Sequence, residues 1–227
     1  MKGLFVTGTD TGVGKTLVAS NLCRVLSAQG FDLVVRKPVE TGCSINNGEL
    51  FPQDAFSLQQ ATQGRESLDL ICPYRFAAPL SPPRAAGLES QPLQLEQLIK
   101  ACHVDQSKFV IVEGAGGFYS PIAQDGLNAD LAVSLGLPVL IVAENRLGAI
   151  NQVLLVLEAV QRRGLTPQGI VLNQLQPNPN SQLQNLEDLT DWTSLPILEI
   201  PFLHQENQHS ARHLFAPILG WRGDQWD

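Results

Sequence analysis

The chain has 227 residues, 44% hydrophobic and only 16% charged, with a formal net charge of −7 and a pI near 5.1. That size and balance suit one α/β domain with a substantial core and exclude a disordered chain. An acidic surface repels nucleic acid and anionic lipid, so neither is an expected partner, and an anionic ligand must be held by local features. Cys23, Cys43, Cys72 and Cys102 form no CxxC pair. Their spacing suits neither a zinc site nor a small disulfide framework, which leaves free thiols in a reducing cytosol. Leu4-Phe5-Val6 is interrupted at once by Thr7, Gly8, Thr9 and Asp10, unlike a signal peptide. No stretch approaches the roughly 18 apolar residues of a membrane span. The expectation is a soluble, cytoplasmic protein with a single domain over residues 1–227.

In chain order, residues 4–7 read as a strand. Residues 15–29 read as a helix, with Leu17, Val18, Leu22, Val25 and Leu26 at helical spacing and Gly30 where a C-cap glycine belongs. Residues 33–37 read as a strand stopped by Pro38, residues 44–53 as a loop, and 77–91, rich in Pro, Ala and Ser, as an ordered loop near the site. Residues 93–102 and 151–163 read as helices. Residues 109–113, 139–143, 169–173 and 197–200 read as strands, and 176–182 as a loop. The strands are nearly continuous apolar runs, as expected when both faces are covered. Strand–helix alternation then predicts a doubly wound α/β fold, with a mostly parallel sheet and helices on both faces. Ligands bind such sheets at the carboxyl ends of the strands.

Gly8-Thr9-Asp10-Thr11-Gly12-Val13-Gly14-Lys15-Thr16 stands between the first strand and the first helix. Glycines let consecutive N–H groups turn toward phosphate oxygens, and the helix N-terminus adds partial positive charge. Lys15 reaches the outer phosphates, and the Thr16 hydroxyl is a ligand for Mg²⁺. The general pattern G-x-x-x-x-G-K-[ST] is not met in full: Gly8 lies one residue early and Thr9 takes the first glycine position. Lys37 ends the second strand and faces the ligand crevice, or is simply a solvated lysine. Asp54 opens a helix, where an N-cap role would also explain it. Glu113 ends an apolar strand like the acidic residue that positions Mg²⁺ in phosphoryl-transfer sites. It runs into Gly114-Ala115-Gly116-Gly117, small enough for close approach to a ligand.

The phosphate loop resembles the variant found in the dethiobiotin synthetases. It differs from the Lys-Gly-Gly-x-Gly-Lys-Thr loop of partition-type ATPases, whose signature lysine falls where this chain has Asp10. No Asn-Lys-x-Asp guanine-reading motif occurs. Lys37-Pro38-Val39-Glu40-Thr41-Gly42 and Val112-Glu113-Gly114-Ala115-Gly116-Gly117 are similar to the family's next motifs. The resemblance, from Gly3 to about Leu203, implies an ATP- and Mg²⁺-dependent cyclo-ligase acting on 7,8-diaminononanoate and CO₂. It implies catalytic roles for Lys15 and Lys37 and metal ligation by Thr16, Asp54 and Glu113. It implies nucleotide contacts along Gly12 to Leu17, at Asp54, and at Glu113, Gly114, Ala115 and Gly116. Asn173 would contact the adenine base, with Pro201, Phe202 and Leu203 lining its pocket, although a strand stop followed by core side chains explains those three equally well. Thr41 would contact substrate, and Gly148, Ala149 and Asn151 would do so across a homodimer interface. The family's tyrosine has no counterpart near Asn185. His103, His204, His209 and His213 show no metal-ligand spacing, and Trp192, Trp221 and Trp226 read as packing or tail residues. The alternative is a partition- or maturation-type ATPase switch on the same fold. An amide-synthase ligase of the cobyrinic-acid type would need a glutaminase module, for which 227 residues leave no room.

Overall fold

The computed structural model describes residues 1–177, 180, 182–204, 207 and 211–221; His209 and Trp226 lie outside them. Strand β1 (Lys2–Gly8) leads through the Gly-rich turn into α1 (Lys15–Ala28), which buries Val18, Leu22, Val25 and Leu26. Gly30 follows at φ 84°, the left-handed conformation that ends helices. β2 (Leu33–Arg36) and β3 (Val39–Thr41) flank Lys37-Pro38.

β4 (Ser44–Asn46) and β5 (Glu49–Phe51) form an antiparallel hairpin inside the stretch expected as a loop. Asn47 and Gly48 both take positive φ, 52° and 86°, the two-residue turn whose twist suits a hairpin. Its largely exposed strands carry no alternating apolar pattern to reveal them. Next come α2 (Gln53–Ala61), α3 (Leu68–Ile71) and β6 (Tyr74–Phe76), which pairs with β3. α4 (Pro82–Leu88) corrects the second loop expectation: Pro82 opens the helix, where its missing N–H costs nothing.

The remainder is α5 (Leu95–Ala101), β7 (Phe109–Gly117), β8 (Pro121–Ala123), β9 (Gly126–Leu127), α6 (Asn128–Leu135), β10 (Val139–Glu144), α7 (Ala149–Arg162), β11 (Pro167–Asn173), α8 (Asn185–Thr190), β12 (Ile197–Ile200) and a 3-10 helix, Ala211–Trp221.

Six strands form the main sheet in the order β12-β11-β10-β1-β7-β2, and every pairing in it is parallel. Neighbouring residues feed opposite faces. Phe5, Val110 and Val112 join the core under α4 to α8. Leu4, Val6, Phe109 and Ile111 join the core under α1, α2, α3 and the 3-10 helix. Both faces are thus covered, as the apolar strands predict. The four cysteines are free and buried. His103, His204 and His213 are exposed, and so is Trp192, which does not pack into the core. Among the described residues no helix is long and apolar enough to cross a membrane.

Candidate active site

The turn after β1 is held from two sides. The Thr9 N–H donates to the Val142 carbonyl at 2.9 Å, and the Asn173 Nδ2 donates to the Val13 carbonyl at 3.1 Å. Gly12 and Gly14 lie at φ 79° and 92°. Gly14 is the N-cap of α1 and has no side chain to cap it, so the first N–H groups of that helix are left for a ligand. The Lys15 Nζ curls back and donates to the Asp10 carbonyl at 2.9 Å.

Beside this turn, the end of β2, the middle of β7 and the start of α2 bring their charges together. β7 runs on to Gly117, so Glu113 does not end the strand as expected from the apolar run. The Lys37 Nζ stands 2.5 Å from Glu113 Oε1 and 3.0 Å from Asp54 Oδ2. The Thr16 hydroxyl donates to the same Glu113 oxygen at 2.8 Å. Lys37 is 4% exposed and Glu113 1%, while Asp54 is partly open to solvent. The step from Val6 to Gly8 in β1 is matched by the longer step from Glu113 to Gly117 in β7. The excess lifts Gly114, Ala115 and Gly116 toward the loop. Asn128, fully buried at the start of α6, secures them: its Oδ1 accepts the Ala115 N–H at 3.0 Å, and its Nδ2 donates to the carbonyls of Ala115 and, at 3.0 Å, Gly117.

A cavity of roughly 320 Å³ results. Of the residues singled out in the sequence, it collects Gly12, Gly14, Lys15, Thr16, Lys37, Thr41, Asp54, Glu113, Ala115 and Gly116. A second cavity of roughly 380 Å³ adjoins it through Thr11, Thr41, Ala115 and Gly116, and is walled by Leu80, Ser81 and Ser120 among others. Val13 is a core side chain, and Leu17 faces a smaller cavity between α1 and α2. The Gly114 carbonyl accepts from Lys37 at 3.4 Å. Asn173 lies beneath the turn, fully buried, and its Oδ1 has no hydrogen-bond partner among the described residues. Pro201, Phe202 and Leu203 follow β12 outside both linings; Pro201 is exposed, and Leu203 packs at the edge of the core under α1. Gly148, Ala149 and Asn151 stand at the start of α7, also outside both linings.

The model of a family described as an AAA domain matches residues 2–210. Over 224 residues the chain is 48% identical to an ATP-dependent dethiobiotin synthetase BioD of Anaeromyxobacter sp. (strain K), covering 97% of this chain and 98% of that one. A protein of the same name from Ruthia magnifica subsp. Calyptogena magnifica is 44% identical, covering 84% and 88%. The chain belongs to the dethiobiotin synthetase family. Its members are named as ATP-dependent synthetases, so this is an ATP-dependent ligase. Among solved structures, it is similar to the MinC:MinD cell division complex of Aquifex aeolicus, with a TM-score of 0.57, 15% identity and coverage of 98% and 97%. The cell division ATPase MinD of Pyrococcus furiosus gives 0.54 and 17%, with coverage of 97% and 99%. At these identities the likeness establishes the doubly wound P-loop fold and nothing further.

In this synthetase the two lysines differ. Burial works against the Lys37 ammonium, but Glu113 and Asp54 outweigh it and hold the amine above the ordinary lysine range. Burial also pushes Glu113 up, against the pull of Lys37. Lys15 is pulled down to about 8 by burial and then by Lys37. Folded Lys15 therefore binds fewer protons than unfolded Lys15 between about pH 8 and 10.5. The penalty of burying its charge is felt below that window and relieved as pH rises through it. A bound anion at Lys15 would restore the proton. We therefore expect nucleotide affinity to fall by up to about tenfold per pH unit across that window. Calorimetric titration in two buffers of different ionisation enthalpy checks the proton uptake, and a flat affinity there would contradict it.

Sequence reasoning missed Glu40, Asn128 and Ser120. Glu40 lies within the Lys37–Gly42 segment, where Lys37 and Thr41 alone were singled out. Asn128 and Ser120 lie between recognised segments. The Ser120 Oγ accepts the Gly117 N–H at 2.9 Å, and a Cβ on Gly116 would come within 2.8 Å of it. Asn185 secures the loop before α7: its Nδ2 donates to Asn145 Oδ1 at 2.8 Å and to the Arg146 carbonyl at 3.1 Å.

Proposed function

We propose that the chain, as one domain, converts 7,8-diaminononanoate, CO₂ and ATP to dethiobiotin, ADP and phosphate. What carries the reading is the meeting of Lys15, Lys37, Thr16, Asp54 and Glu113 in one cavity that opens toward a second with room for a small diamine. One amine of the substrate takes up CO₂ to give a carbamate. The carbamate oxygen attacks the γ-phosphorus of ATP, forming a carbamic–phosphoric anhydride and releasing ADP. The second amine attacks the carbonyl carbon, closes the ring and expels phosphate. Lys37 and Lys15 offset the repulsion between carbamate and triphosphate, and the glycine turn orients the phosphates; the protein contributes positioning and charge.

The residues fit a Mg²⁺ ion. Thr16, Asp54 and Glu113 offer hard oxygen donors. Glu113 Oε2 is buried without a hydrogen-bond partner among the described residues. The Asp54 carboxylate, partly open to solvent, faces the same cavity. Mg²⁺ held by that trio would neutralise the β- and γ-phosphates. For Asn173 to meet the amino donor of adenine, its buried Oδ1 would have to be uncovered as the nucleotide binds; Pro201, Phe202 and Leu203 would then lie near the base, and Thr41 suits the substrate. Leu147 and Leu155, 79% and 59% exposed on either side of Asn151, support a homodimer through the α7 face, which would place Gly148, Ala149 and Asn151 at the partner's substrate. We place the reaction in the cytoplasm.

The test is ADP release from Mg-ATP and bicarbonate, with and without 7,8-diaminononanoate. Release that requires the diamine, with dethiobiotin found by mass spectrometry, is expected. Diamine-independent hydrolysis would overturn the reading and bring forward a partition-type ATPase switch, against which Asp10 at the signature-lysine position now stands.

A further inference from the structure

Helix α2 starts without a cap of its own. Its N-cap residue is Pro52, and no side-chain cap is made there. A proline ring offers no acceptor, so the first-turn N–H groups need a partner from elsewhere. Glu40, on β3, supplies it: one carboxylate oxygen accepts the Asp54 N–H at 2.9 Å and the other accepts the Ala55 N–H at 3.0 Å. Glu40 is 6% exposed. A buried carboxylate committed through both oxygens to a helix N-terminus is well placed electrostatically and is not free to meet an incoming cation.

The same short segment holds Asp54 twice. Lys37 Nζ pairs with the Asp54 carboxylate at 3.0 Å, and Glu40 binds its backbone N–H. The segment is itself fixed: the Lys37 N–H donates to the Ile71 carbonyl at 2.9 Å, and Glu40 stands in register with Arg75 where β3 pairs with β6. We propose that Glu40 is a positioning residue, an external cap of α2 that sets the Asp54 carboxylate at the metal side of the cavity. The proposal rests on the reading of Asp54 as a metal ligand, and its test separates the two.

Mn²⁺ titration by electron paramagnetic resonance, on the full chain with a non-hydrolysable ATP analogue, is combined with amide hydrogen exchange at residues 54 and 55. Glu40→Ala should weaken Mn²⁺ about 10-fold or more, as loss of an outer-shell partner does, and speed exchange at both amides. Adding Pro52→Ser to Glu40→Ala supplies a local cap and should recover most of both effects without restoring a charge at position 40. If Asp54→Asn weakens Mn²⁺ but Glu40→Ala does not, the proposal falls while the metal reading stands. If Asp54→Asn leaves Mn²⁺ unchanged, the metal reading falls and the proposal with it. Failure of Pro52→Ser to recover affinity would assign the effect to the charge of Glu40 and overturn the capping role. Should Glu40→Ala not fold, Glu40→Gln, which keeps one acceptor oxygen, is measured in its place.

Discussion

Lys37→Gln should lower turnover by about 10²–10³, the usual cost of removing one preorganised electrostatic partner from a reacting centre, while ATP affinity changes by less than about threefold. The ammonium sits 2.5 Å from Glu113 and 3.0 Å from Asp54 and is not part of the glycine turn, so on the proposed mechanism its loss would remove charge from the reacting oxygens and leave the turn proposed to hold the phosphates intact. The same change carries a structural cost. Glu113 is buried at 1% exposure, and stripping a buried carboxylate of its cation typically destabilises by about 3–5 kcal/mol. Glutamine can still donate a hydrogen bond, so the lower end is expected, and because ATP affinity is nearly unchanged Mg-ATP should stabilise the variant and the parent by nearly the same increment. Single-turnover kinetics, ATP titration and melting with and without Mg-ATP separate these effects. Undiminished turnover would remove Lys37 from the mechanism.

The second large effect is expected at Gly14. Its φ of 92° already costs a side chain about 1–2 kcal/mol. A Cβ there would lie 2.1 Å from the Asn173 Nδ2, closer than any real contact, so Gly14→Ala must also push away the amide that holds the Val13 carbonyl. A hydrogen bond with a buried partner left unsatisfied adds about 1–3 kcal/mol. Together these predict a loss of about 2–5 kcal/mol in the nucleotide-competent state, or roughly 30-fold to 1,000-fold or more in ATP affinity. Gly12→Ala is the useful control. It has a similar φ of 79°, but its Cβ would meet nothing within 4 Å, so it should show only the conformational part. Equal losses for the two variants would refute the steric argument.

The main sheet, the glycine turn and the principal charged residues were legible in the local sequence. Those features are local: an apolar run such as Phe109 to Val112 declares a strand covered on both faces, and Gly14-Lys15-Thr16 between a strand and a helix needs no distant partner to be read. The elements it missed lack such a pattern. The Ser44–Phe51 hairpin is mostly exposed, and its signal was confined to Asn47-Gly48. The Pro82–Leu88 helix lay in a stretch whose prolines suggested a loop. Which polar groups satisfy each other emerges only in the folded chain. Glu40 caps a helix that begins at Gln53, Asn128 holds the chain from Ala115 to Gly117, and Asn173 reaches beneath Val13. The physical reason is common to all three. A buried N–H or carbonyl must find a partner, and the folded chain supplies it from whichever element comes near, at a sequence separation that no periodicity encodes.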